Sequence, residues 1–194
     1  MLRAYGTSGH LNTPMPQLLP VHKKEDIPPE YRDTPIGRLL EYQNIHRVFD
    51  EYKHAELLVG MFMDNREHLH IPKNCAFIIR AGGANLRPAA FKVSYAIGVG
   101  GVKHIALIGH NDCGMVNLYS RREKFINGLV ENAGWSVERA TDHFMNLAPL
   151  FEIGNETEFL ISEAHRLRRE YPKIQVAPLL FKVEEGKLYL IEED

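Results

Sequence analysis

The stretch KHIALIGHNDCGM, residues 103–115, decides how this chain is read. Its apolar part, from Ile105 to Gly109, is short, partly β-branched and bounded by a lysine and a polar turn, the pattern of a buried strand rather than a helix. A strand ending at Gly109 aims His110 off the sheet edge. A turn through Asn111 and Asp112 then brings the Cys113 sulfur back beside the imidazole. Zinc accepts such a nitrogen and sulfur pair. Spacing alone describes two satisfied core residues as well as two ligands, because histidine and cysteine are both common in protein interiors.

Upstream, ELLVGMFM (56–63) runs into DNRE, and CAFIIR (75–80) runs into AGGAN; both are short enough to be buried strands. RPAAFKVSYAIGVGG (87–101) reads as a helix opened by proline and stopped by glycine. Downstream, helical patterns fall near residues 120–131 and 136–150, and a third runs through Phe159, Leu160, Ala164 and Leu167. The chain closes with IQVAPLLFKV, the turn EEGK and LYLIEE, a hairpin. At the other end, Thr34 and Pro35 form an N-cap and first-turn pair, and apolar spacing predicts a helix from about Pro35 to Tyr52. Residues 1–34 carry Pro14, Pro16, Pro20, Pro28 and Pro29 with little periodicity, which predicts an extended arm leaning on another surface, of this subunit or of a partner.

The expected fold class is α/β: a mostly parallel central sheet flanked by helices, with a C-terminal β-hairpin and an extended N-terminal arm. The domain organisation read from this is an arm over residues 1–34 and a single domain over residues 35–194. A formal charge of −2 with mixed signs argues against a nucleic-acid partner. The N-terminus lacks a signal-peptide pattern and no apolar run approaches the roughly 18 residues of a membrane helix, so a cytoplasmic protein without membrane contact is expected. Only Cys75 and Cys113 are present, too few for a disulfide framework, and reduced thiols suit that compartment.

In an open parallel sheet, ligands gather beyond the carboxyl ends of the strands. Asp64 and Arg66, two apart in an extended segment, point the same way, and the guanidinium can orient the carboxylate; taken alone the pair reads as a structural ion pair. The glycine-rich GVGG and AGGA fall short of a dinucleotide fingerprint. Cys75, Met61 and Met63 read as core or adaptable packing, and His68 and His70 as solvated loop residues.

FMDNR, AFIIRAGGAN and IALIGHNDCGM, in this order and at these separations, resemble the β-class carbonic anhydrases over roughly residues 55–118. That resemblance implies zinc as cofactor, reversible hydration of CO2 to bicarbonate by a zinc-bound hydroxide, and a homodimer or higher homo-oligomer with N-terminal segments crossing to the neighbour. It places His110 and Cys113 on two metal ligands, Asp64 and Arg66 on the catalytic dyad, and Gly114 on the glycine beside the substrate pocket. The third ligand of the family, a cysteine, falls on Phe62, which has no lone pair to give a metal. Three outcomes are then open. Asp64 can join His110 and Cys113 as a metal ligand with reduced activity, His68 or His70 can fold inward, or the protein is a metal-free, non-catalytic homologue with a binding or structural role.

Overall fold

The structure, a computed structural model, describes residues 16–65 and 68–193. Its centre is a six-stranded sheet of order β1-β6-β5-β4-β2-β3. The strands are β1 (Leu18–Leu19), β2 (Leu57–Phe62), β3 (Ala76–Ala81), β4 (His104–His110), β5 (Gln175–Lys182) and β6 (Lys187–Ile191). β3, β2, β4 and β5 run parallel, and β6 returns antiparallel to β5 through a turn in which Gly186 holds φ 65°. This is the mostly parallel sheet with a terminal hairpin that the alternation of strand and helix patterns predicts.

Both faces of the sheet are covered, which explains why its strands are nearly continuous apolar runs. On one face, Ile36, Leu39 and Leu40 of helix α2 (Pro35–Ile45) pack with Leu57, Val59 and Met61 of β2 and with Ala106 and Ile108 of β4. On the other, Val93 and Ala96 of α3 (Ala90–Gly98) and Leu160, Ala164 and Leu167 of α6 (Glu156–Glu170) meet Leu58, Ile105 and Leu107. Successive strand residues therefore serve opposite layers. At Gly109 a Cβ would stand 2.7 Å from the Leu160 Cδ1, so a larger residue there requires the Leu160 side chain to shift.

Two expectations change in the folded chain, and the surface that supports residues 16–34, open in the sequence, becomes visible. Helix α2 stops at Ile45, not near Tyr52, because His46 takes the left-handed region (φ 54°) and ends the hydrogen-bonded ladder. Val48 and Phe49, whose spacing suggests continuation, stand exposed. Strand β3 is an edge rather than a buried strand: it pairs only with β2 and leaves Ile78 49% exposed. Residues 16–34 lie on the chain's own sheet. β1 pairs with β6, Val21 and Ile27 enter the core, and two short turns of helix, Lys24–Asp26 and α1 (Pro29–Arg32), lie outside it. Asn44 fastens them, donating to the carbonyls of Val21 (3.2 Å) and Leu188 (2.7 Å) and accepting from the Leu188 N–H (2.9 Å). The first fifteen residues, part of the expected arm, lie outside the described residues.

Helices α4 (Arg122–Ala133) and α5 (Val137–Phe151) pack on one another as a lobe beside the sheet. The lobe is tied in where Ile153 N–H donates to Met115 O at 3.1 Å.

Candidate functional site

The order of the strands creates the site. From β2 the chain goes to β3 on one side, and from β4 to β5 on the other, so the carboxyl ends of β2 and β4 form the switch point where open α/β sheets bind ligands. Phe62 is the last residue of β2 and His110 the last of β4.

His110 is 3% exposed, and its Nδ1 lies 2.8 Å from Asn111 O. A carbonyl only accepts, so Nδ1 is the donor in this contact. The next residues turn sharply: Asp112 holds φ 56°, a conformation that aspartate tolerates, and Cys113 comes back toward the strand end. Asn111 clamps the turn to β5. Its side chain accepts from Val183 N–H (3.0 Å) and donates to Glu184 (2.7 Å), while its own N–H donates to Phe181 O (3.3 Å). Sequence reading treats Asn111 only as a turn residue; its clamping role needs β5 beside β4.

Burial pushes the Cys113 thiol above its usual range, and the nearby Glu156 carboxylate adds to this, whereas backbone groups of Met115, Gly83 and Val116 pull it down. The Cys113 N–H donates to Glu156 Oε1 at 3.2 Å. Arg80 of β3 donates to Asp64 O at 3.2 Å, which holds the loop after β2 from the neighbouring strand. Its Nη2 also lies 3.5 Å from His68 Nδ1, and His70 packs at a tilt against Phe49 with centroids 4.5 Å apart, so neither loop histidine turns into the site.

Asp64, His110, Cys113 and Gly114 all line one open cleft of about 480 Å3 with Phe62, Met63, Gly82 and Met115. Four of the residues singled out from sequence are thus brought together. Arg66 lies outside the described residues. Phe62 is 1% exposed, and its ring centroid stands 4.6 Å from that of His110 and 5.7 Å from that of Phe181. Met63, expected as core or adaptable packing, is 65% exposed at the cleft wall, because it lies one residue past the end of β2.

Protein zinc sites use at least three protein donors. Among the described residues no group of three or more histidine, cysteine, aspartate or glutamate side chains is placed to hold a metal ion. The Phe62 ring lies against the imidazole. The described residues as placed do not assemble three donors for zinc.

A mostly parallel sheet with a His-x-x-Cys turn at its switch point defines the class, an open α/β protein with its site at the strand ends. The family model for carbonic anhydrase matches residues 68–188, well over half of the chain, and the chain belongs to that family. Solved structures agree at the level of the fold. The β-carbonic anhydrase isoform I from Trichomonas vaginalis is similar at 17% identity, with a TM-score of 0.61 over 77% of this chain and 90% of that one. A carbonic anhydrase from Glaciozyma antarctica matches at 20% identity and TM-score 0.57 over 73% and 85% of the two chains. The apo form of a carbon disulfide hydrolase matches at 22% identity and TM-score 0.50 over 82% and 89%. No curated protein sequence matches the chain. No helix among the described residues is long and apolar enough to cross a membrane.

Proposed function

We propose that this member of the carbonic anhydrase family uses the cleft at the ends of β2 and β4 as a metal-free small-molecule site rather than as a zinc hydration centre. The observation that carries this reading is Phe62: a buried ring lies 4.6 Å from the His110 ring, at the position where the family resemblance puts a thiolate ligand. The strand scaffold, the Asn111 clamp and the glycine turn hold the cleft open, and His110, Cys113, Asp64 and Gly114 supply polar groups for recognition. In this reading Asp64 and Arg66 bind or orient a ligand and do not activate a zinc-bound water.

A second reading is favoured by the shared lining. Asp64, His110 and Cys113 open into the same cleft, so a side-chain movement that gathers them gives a zinc protein that hydrates CO2 slowly, with Arg66 orienting Asp64. The test is metal content of protein purified without chelator, with CO2 hydration measured in parallel. The first reading expects no bound zinc and no hydration above buffer; stoichiometric zinc with turnover replaces it with the second.

The assembly we propose is a homodimer. The free edge of β3 presents Phe77 and Ile78, and the adjoining α3 presents Phe91 and Tyr95, an apolar surface that a second copy covers.

A further inference from the structure

A second cavity adjoins the cleft. It is a groove of about 260 Å3 between the sheet and the lobe of α4 and α5, and it shares Met63, Gly82 and Met115 with the cleft. Beyond these shared walls it is almost wholly apolar, lined by Phe125, Phe144, Leu147 and Phe151. The cleft alone falls in the roughly 300–1,000 Å3 range of small-molecule sites, far more room than a triatomic gas requires. A molecule that fills both spaces has an apolar body and a polar head.

The charge of the head follows from what stands beside Gly114 in the cleft wall. The short helical turn Leu118–Arg121 begins with the groove residue Leu118 and ends with Arg121, an exposed side chain next to Gly114 of the cleft. The Arg121 Cζ and Nε stand 4.0 Å from where a Cβ on Gly114 would be. Among the described residues no carboxylate pairs with Arg121, whereas Asp64, the acid of the cleft, is already engaged. The unmatched charge beside Gly114 is therefore positive, and a guanidinium matches a carboxylate in two parallel hydrogen bonds.

Resting on the metal-free reading of the cleft, we propose that the site takes a monocarboxylate with an apolar tail. The carboxylate lies against Arg121 beside Gly114, and the tail lies in the groove among Met115, Phe144 and Leu147. Met63 and Met115 suit this role, since unbranched thioether side chains adapt to tails of different shape. Fixed polar contacts then select the head, and the groove selects tail length.

The chain provides its own reporter. Its single tryptophan, Trp135, meets the groove residue His143 edge-on with centroids 5.1 Å apart, and His143 lies parallel to Phe125 at 6.2 Å. Titration of the full chain with butyrate, hexanoate, octanoate and octanol is followed by Trp135 fluorescence and, independently of that signal, by saturation-transfer NMR on the ligand methyl groups. Octanoate is expected to bind saturably and more tightly than the shorter acids, by up to about fourfold per buried methylene. Arg121→Ala is expected to weaken octanoate tenfold or more and leave octanol unchanged, because a hydrogen bond to a charged group is lost. Leu147→Gln is expected to weaken both. The proposal is overturned if octanoate gives no saturable signal by either method, if affinity ignores chain length, or if Arg121→Ala affects octanol as much as octanoate. Each titration is repeated with chelator and with added zinc. Octanoate binding that requires zinc overturns the metal-free reading while keeping the ligand class, and failure in every condition overturns the ligand class alone.

Discussion

Replacing Phe62 with cysteine tests the reasoning about the site most directly. The ring is fully buried between His110 and Phe181, and cutting a buried phenylalanine down to alanine costs about 3–5 kcal/mol. Cysteine keeps a sulfur near the first ring atoms, so Phe62→Cys is expected to cost about 2–4 kcal/mol without metal. For a chain of this size each kcal/mol moves the melting temperature by about 2–4 °C, so a loss of 3 kcal/mol lowers it by roughly 6–12 °C. The substitution also places a third soft donor beside His110 and Cys113. A ligand present at a thousandfold excess over its Kd stabilises the folded state by about 4.1 kcal/mol, enough to offset the lost ring. The assay is thermal and urea unfolding of both proteins, each with chelator and with excess zinc. The variant is expected to lose stability in chelator and regain it in zinc, and the natural chain to be indifferent. Two results refute the reasoning: a loss in chelator below about 1 kcal/mol, meaning the ring is not packed as described, or a natural chain that zinc stabilises as much as it does the variant.

Two further outcomes follow from the fold. Burial raises the Cys75 and Cys113 thiols above their ordinary value of 9.0, and it is also the leading cause that raises the Tyr31 and Tyr42 hydroxyls. In each case the unfolded group loses its proton first, so stability is fully present below about pH 9 and falls as pH rises through the window between unfolded and folded values; urea midpoints from pH 7 to 10.5 that stay level or rise contradict this. Ile78→Lys places a charge on the open edge of β3, and light scattering is expected to find a dimer for the natural chain and a monomer for the variant; a dimer in both removes β3 from the interface.

Much of the architecture is legible in local pattern. Short apolar runs bounded by glycine or charge locate β2, β4 and β5, Thr34 and Pro35 mark the start of α2, and the glycine turn predicts the β5–β6 hairpin. These features depend on residues a few positions apart, whose periodicity and turn chemistry are written in order along the chain. The same order places Phe62, Asp64, His110 and Cys113 at strand ends. Local pattern misses whatever depends on a distant neighbour. Periodicity carries α2 too far because it does not register that His46 turns left-handed. It buries β3 because only the strand order leaves that strand at the edge, and it leaves Asn111 as a turn residue because its clamp belongs to β5.

The sequence by itself determined the α/β class, the succession of elements and the His-x-x-Cys turn at a strand end, because each follows from short-range spacing. Only the tertiary structure decided that the Phe62 ring rests on the His110 imidazole, that Met63 faces outward, and that α4 and α5 wall a groove leading from the cleft toward Trp135. Those are contacts between residues far apart in the chain, made when strands pair and helices dock, and no local period encodes them.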